Sequence, residues 1–381
     1  MIEQSKRRNP VTGKERFITA LRGGIPDRIP IFDFIDSPNF IQRVIGRKPE
    51  DYCAQDIMEV SLKYGFDAAF IGYGGFGGYD TTQEYELDAD HYRDEWGTVY
   101  KKTSYSWPID APVGHPVNDR KDLRKYKMPD PELPERMAEI RIAQELAGDK
   151  VAVVGGVQGP LTTAILVSGL TNVFSKIIDD PDFVKELFRL SNEYFKVAVK
   201  KMVEARVDVI CVPEDLGFAS APFFSVSHFR TLLLPFLEEL FVEAIKHNVP
   251  TFLHCDGNIN EYLDDLVAIG FNGLHPIQRT AGMSIRKVRA KFGPELCLIG
   301  NVDSSHTLVF GSEQEIMRET LETIRDGALQ GGMVLASDSD IRDEMPYEKV
   351  DVMFKTGLEY GKYPIDINII EEGLKRCSQK K

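Results

Sequence analysis

The order of apolar and amphipathic segments predicts an α/β protein, a single (β/α)8 TIM barrel with an insertion after the second strand. Three observations predict it. Eight short apolar runs, rich in β-branched residues and almost unbroken by polar ones, have the character of parallel strands covered on both faces. Segments of helical period separate most of them. The length of 381 residues also suits one barrel of ~250 residues with additions, although by length alone two domains of ~150 residues fit equally well.

The runs are 28–35 (RIPIFDFI), 67–73 (DAAFIGY), 151–157 (VAVVGGV), 207–213 (VDVICVP), 250–256 (PTFLHCD), 271–277 (FNGLHPI), 296–302 (LCLIGNV) and 332–338 (GMVLASD). Between them, 182–206 places Phe183, Leu187, Leu190, Tyr194, Val197 and Met202 at helical spacing behind Asp180-Pro181, a start signal. Segment 226–247 reads the same way, with Pro235 predicting a kink or break near residue 234. Ser312 and Glu315 stand at capping-box spacing ahead of the helix over 312–328. The stretch at about 80–135 breaks the rhythm. Its alternation around Val99–Tyr105 predicts an antiparallel hairpin followed by a Pro-marked connection, inserted within one domain over 14–360; a separate small domain is the alternative.

Composition narrows the function classes. With 43% hydrophobic and 28% charged residues the chain is globular, and the 31 Gly and 21 Pro form no low-complexity tract. Lys plus Arg total 46 against 59 for Asp plus Glu, a net charge of −13, so no long-range field gathers nucleic acid or anionic membrane. No apolar stretch is long enough for a membrane span, and MIEQSKRRNPVTGKERF lacks the apolar core of a signal peptide, so the expected compartment is the cytoplasm. The 5 cysteines form no CxxC pair. Reduced thiols are expected, with Cys211 and Cys297 acting as small buried hydrophobes.

In a barrel of this class, chemistry sits at the C-terminal strand ends and the loops that follow. Those ends carry Asp33 and Asp36; Tyr73 and the glycine-rich 72–79; Gln158; Glu214 and Asp215; His254, Cys255 and Asp256; His275; Asn301 and Asp303; and Ser337 to Asp340. Any one of these acids has an ordinary alternative role, capping the next helix. The sharpest signal is His254-Cys255-Asp256-Gly257, since residues two apart on a strand share a face and can converge on one ion or proton. A purely structural histidine is the competing reading. Glu214 comes from the neighbouring strand, and carboxylate plus imidazole serve as metal ligands or as an acid–base pair. The glycine-rich GYGGFGGY lacks a P-loop ending. It reads better as backbone approaching a flat ligand between Tyr73, Phe76 and Tyr79. No GxSxG occurs, and Cys255 faces away from His254, so a nucleophilic triad has no support.

Several motifs together resemble one family. Arg16-Phe17 with Ala20-Leu21, Pro26-Asp27-Arg28-Ile29-Pro30, Asp94-Glu95-Trp96-Gly97, Gly156-Val157-Gln158-Gly159-Pro160, Phe224 through Pro235, His254-Cys255-Asp256-Gly257 and Gly300-Asn301-Val302-Asp303 resemble the uroporphyrinogen decarboxylase superfamily. The resemblance runs over nearly the whole chain and implies the TIM barrel. The superfamily holds porphyrinogen decarboxylases and methyltransferases that work with corrinoids. The decarboxylases carry an arginine-rich segment after the first strand; here it reads FDFIDSPNF, acids in place of guanidinium groups. Their aspartate after the second strand and histidine after the eighth are also missing. Relative to thiol methyltransferases, which bind zinc through His-x-Cys and a later Cys, His254 matches while Asp256 and Ser339 replace the thiolates.

The resemblance therefore implies an enzyme near the corrinoid-dependent methyltransferases, moving a methyl group from a small, O-methylated substrate to a corrinoid on a separate protein. Glu214, His254 and Asp256 are expected to be catalytic and to hold zinc or a similar ion. Asp33, Asp36, Tyr73, Gln158, His275, Asn301, Asp303 and Asp338 are expected to line the substrate. A homodimer is an expected assembly, and the glycine-rich 72–79 segment and the insertion from Trp96 to Pro116, with Tyr105 and Trp107, are the expected docking surface. A divergent decarboxylase and a non-catalytic tetrapyrrole- or corrinoid-binding protein are the rival readings.

Overall fold

The computed structural model describes residues 10–74, 84–103, 108 and 110–379. Thirteen strands are present among them: β1 Ile35–Asp36, β2 Ala68–Gly72, β3 Glu84–Glu86, β4 His91–Asp94, β5 Val99–Lys101, β6 Ala111–Gly114, β7 Ala152–Gly156, β8 Val209–Pro213, β9 Thr251–His254, β10 Gly273–His275, β11 Cys297–Val302, β12 Met333–Ser337 and β13 Ile341–Arg342. Seven form a parallel sheet in the order β12-β11-β10-β9-β8-β7-β2. Sequential neighbours joined by helices give this order.

Both faces of the sheet are apolar, as the unbroken runs require. Alternate residues Ala68 and Phe70, Ala152 and Val154, Val209 and Cys211, Cys297 and Ile299, and Val334 and Ala336 join one buried cluster. Their neighbours Ala69, Ile71, Val153, Ile210, Val212, Leu298 and Leu335 join the other, against the surrounding helices. The first cluster draws in Phe17, Ala20 and Leu21 from the helix Gly13–Leu21, together with Phe32, Phe34 and Phe252. Because residues 31–32 bond both to Leu335 of β12 and to Asp67 just before β2, the two outer strands approach each other and the sheet is curled.

The expected first strand, 28–35, is shorter than its apolar run. Only Ile35–Asp36 is strand, paired with β13. Pro30 lacks an N–H and cannot sustain a ladder, so the preceding residues bond singly: Ile31 bridges to Leu335, Phe32 N–H donates to Leu335 O (3.1 Å), and Asp67 N–H donates to Ile31 O (2.9 Å). This segment touches both outer strands of the sheet. Beneath it, buried Asp67 accepts from Arg16 Nη1 (2.6 Å), Arg28 Nη1 (2.7 Å) and Ile31 N–H (2.7 Å). The Arg16 and Asp27-Arg28 motifs are thus a brace at the N-terminal end of the strands, the end opposite the polar loops.

Helix Pro181–Glu204 starts behind Asp180, and helix Glu313–Gly327 has the capping box of Ser312 and Glu315. The Pro235 segment breaks as expected: Phe229–Leu233 is a π-helical turn, after which Leu234–Lys246 resumes α-helix. The missing N–H of Pro235 frees a carbonyl that the wider turn accommodates. Between β2 and β7 in sequence, β3 to β6 form an antiparallel four-stranded sheet. Trp96 stacks on Phe195 and meets Tyr194 edge-on, and buried Arg136 grips both oxygens of Glu95 (2.6 and 2.8 Å). The expected hairpin is therefore part of a larger sheet tied to helix Pro181–Glu204. No single described helix is long and apolar enough to cross a membrane; Pro160–Ser168 with Leu170–Asp179 pass that test only together, across a 108° bend.

Candidate active site

An aromatic column rises through the inner cluster. Phe17 packs on Phe32, Phe32 on Phe34, and the edge of Phe34 meets both His254 (5.1 Å) and His275 (5.2 Å). The two histidines occupy paired positions at the ends of β9 and β10. Their Nδ1 atoms lie 2.7 Å apart. His275 is wholly buried, and burial together with neighbouring His254 pushes its pKa well below the ordinary imidazole range.

Above this pair, one ligand atom each from Asp215, His254 and Asp256 lies within 4.8 Å of the others. Asp256 N–H donates to Asp215 Oδ1 (2.9 Å), and Ser339 Oγ donates to Asp256 Oδ2 (3.2 Å). Asp256 Oδ1 is buried without a hydrogen-bond partner among the described residues. Burial raises the Asp256 pKa to about 7 against the pull of His254, with Asp215 and Asp340 adding to the rise. An oxygen–oxygen–nitrogen donor set with an orphaned buried oxygen fits a hard or borderline divalent ion. Asp36 faces Asp340 and Arg342; burial and Asp340 push its pKa well above the usual carboxylate range while Arg342 opposes them. Arg342 Nη2 itself donates to Asp340 (2.9 Å).

Glu214 stands apart from this group. Its oxygens accept from Leu161 N–H (2.7 Å) and Thr162 N–H (2.9 Å), satisfying the start of helix Pro160–Ser168. That helix has Gly159 as N-cap and no cap of its own, and a Cβ on Gly159 would lie 2.3 Å from Glu214 Oε2. The geometry therefore gives Asp215 the place expected for Glu214. Because burial outweighs the two amides, the Glu214 pKa rises to about 8. A pKa above its unfolded value means the folded protein binds this proton more tightly. The associated stability is fully present below the unfolded pKa and is lost as pH rises through about 8. Urea unfolding between roughly pH 6 and pH 9 should show a decline of a few kcal/mol that Glu214→Gln flattens. Identical slopes for the two proteins would refute it.

Four other expected substrate residues brace backbone. Asp33 accepts from Ser337 N–H (2.8 Å) and Oγ (3.0 Å). Asp338 accepts from Ser304 N–H and Oγ (both 2.8 Å) and Arg279 N–H (3.2 Å), and burial raises its pKa to about 6. Asp303 caps the turn at Ser305, His306 and Thr307; burial works against it, but those donors hold its pKa below the ordinary range. Asn301 donates to Ile277 O (2.9 Å) and accepts from Thr323 Oγ1 (3.1 Å) on the outer helix. Gln278, not anticipated, accepts from Gly257 N–H (2.8 Å).

Tyr73 is buried with its hydroxyl donating to Pro131 O (2.7 Å), so it forms no free ligand wall. Gln158 is half-buried at the end of β7. Phe76, Tyr79, Tyr105 and Trp107 lie outside the described residues. In the insertion Trp96 and Tyr100 are buried, so they offer no docking surface. Cys255 is buried in the outer cluster with its thiol raised by burial, and Cys211 and Cys297 are buried in the inner one. Ser339, expected where a second thiolate would stand, does reach Asp256. Arg342 was missed; it follows β12 and becomes legible only once Asp340 and Asp36 are placed beside it.

The curled seven-stranded parallel sheet, the mouth at its strand ends and the histidine–carboxylate group there define a known class. The chain belongs to the uroporphyrinogen decarboxylase (URO-D) family, whose model matches residues 109–360. Within it the chain stands closer to corrinoid-dependent methyltransferases than to true decarboxylases. It is 28% identical to a methylcobamide:CoM methyltransferase of Methanosarcina barkeri over 229 residues, 60% of this chain and 64% of that protein. A second methylcobamide:CoM methyltransferase, from Methanosarcina acetivorans, is 23% identical over 83% of this chain and 90% of its own. A uroporphyrinogen decarboxylase of Anaeromyxobacter dehalogenans is 23% identical over 62% of this chain and 68% of its own. The solved structure of a methyltransferase from Methanosarcina mazei, 25% identical, superposes with a TM-score of 0.71 over 92% of this chain and 99% of that one. The match to the M. barkeri enzyme thus spans slightly under two thirds of its length.

Proposed function

We propose that the chain is a single (β/α)8 domain over residues 14–360, the 29–34 segment serving as the remaining stave and 80–135 as an insertion. It is read as a methyltransferase that takes a methyl group from a small O-methylated compound to a corrinoid carried by a separate protein. The observation that carries this reading is the convergence of Asp215, His254 and Asp256 at the strand ends of a chain resembling methylcobamide methyltransferases. The corrinoid, when its carrier docks, supplies the nucleophile for the methyl group. A divalent ion such as zinc, held by the three residues, would supply Lewis-acid polarisation of a substrate oxygen.

What the chain itself does is neutralise charge. A methyl ether or alcohol that loses its methyl group leaves an oxygen needing a cation or a proton. Asp215, His254 and Asp256 can hold either at one place, and Asp256, with its pKa near 7, keeps a proton available in the neutral range. Oxygen ligands in place of thiolates suit an oxygen substrate better than activation of a thiol. Phe34 and buried His275 exclude water below the group, which strengthens its electrostatics.

The test mixes purified protein, reduced corrinoid on its cognate protein and a panel of methyl ethers and methanol, following methylated corrinoid by visible absorbance. Methylation dependent on one of these compounds is expected, and uroporphyrinogen should release no carbon dioxide. Stoichiometric carbon dioxide from uroporphyrinogen, with no corrinoid methylation, would replace this reading by the decarboxylase.

A further inference from the structure

We propose that His275 is a positioning residue: it accepts a hydrogen bond from His254 Nδ1–H and so fixes the tautomer that turns the Nε2 lone pair of His254 toward Asp215 and Asp256. This inference rests on reading those three residues as a cation site.

The geometry leaves few alternatives. A nitrogen–nitrogen contact of 2.7 Å needs one proton between the two Nδ1 atoms. If His275 donates, His254 must carry its proton on Nε2, the nitrogen left for the carboxylates, and no lone pair faces a cation. If His254 donates, Nε2 is a ligand. A ring nitrogen's tautomer is set by the bond its partner nitrogen makes. The pair is also held rigidly. The ring planes lie within 26° of each other with centroids 4.9 Å apart, both rings meet Phe34 edge-on, and His275 O accepts from Cys255 N–H (2.8 Å). His275 is 0% exposed, and its Nε2 has no partner among the described residues. Among the described residues its Nδ1 contact with His254 is the one polar contact of the ring, and from full burial behind His254 it acts through that neighbour.

The test is zinc affinity, read by competition with a chromophoric chelator, for the wild type, His275→Leu and His275→Asn. Leucine removes the acceptor and should weaken zinc by about 10–100-fold, whereas the asparagine amide oxygen accepts the same proton and should stay within roughly threefold of wild type. Zinc binding that His275→Leu leaves untouched overturns the proposal alone. A wild type that holds no zinc removes the cation reading together with it. Where the leucine variant fails to fold, a long-range nitrogen–proton NMR spectrum of histidine-labelled, zinc-loaded wild type decides. His254 protonated on Nδ1 supports the proposal, and His254 protonated on Nε2 overturns it.

Discussion

Replacing His254 by Ala should strip the protein of its bound divalent ion and cut methyl transfer by about 10²–10³-fold, the scale on which removing one preorganised electrostatic group acts. His254 supplies the only nitrogen in the donor group, and without it two carboxylates remain, one of them exposed. Asp256→Asn should follow the same course, because it keeps size and the contact with Ser339 while deleting the charge that attracts the ion. Glu214→Gln should retain metal, since its oxygens face helix Pro160–Ser168 instead. Metal content after dialysis, measured by elemental analysis beside circular dichroism, checks all three. A wild type that is metal-free and fully active would end the metal role and leave proton transfer.

A comparably large effect, on folding instead of catalysis, is expected at Asp67. Asp67→Ala should destabilise the protein by roughly 3–5 kcal/mol, because truncating one member of a buried ion cluster strands its partners. Arg16 and Arg28 both end on this carboxylate, and Ile31 N–H completes it. Arg16 keeps its bonds to Asp27 and Arg28 is partly exposed, but the wholly buried Ile31 N–H loses its acceptor. The Ile31 bond also anchors the segment that carries Asp33 and Asp36, so loosened site geometry should accompany the loss. Urea denaturation at neutral pH measures it, and a change below about 1 kcal/mol would show the cluster to be replaceable by hydration.

The strand ends were legible because apolar runs bounded by glycine, proline and aspartate mark parallel strands whatever their order in space. His254 was legible as the end of an apolar strand, and Asp256 was paired with it on a spacing of two, although β9 ends at His254 and Asp256 reaches the group from the loop. Glu214 and Asp215 sit past Pro213, where the strand ends and alternation no longer applies. Sequence could not tell which of the adjacent carboxylates turned to the mouth. A clue did exist in Gly159-Pro160, a helix start with no side chain to cap it. The Asp27-Arg28 motif marked the family without showing its place, because the brace depends on Asp67, which is remote in sequence. Neither Asp33 nor Asp338 could be sorted between ligand and staple without seeing the backbone amides that claim them.

Those amides form a hoop. Asp33 holds Ser337, Asp338 holds Ser304 and Arg279, Gln278 holds Gly257, Asp215 holds Asp256, and Glu214 holds Leu161 and Thr162. Each link ties one loop of the mouth to another, and most of its members are not in the ligand group. Side chains at 256 and 339 can therefore be exchanged without cutting the hoop, because Asp256 joins it through its backbone N–H and Ser339 is not one of its links. Chemical novelty in this fold is cheap in structural terms because the parts that hold shape and the parts that choose a substrate are, for the most part, different side chains.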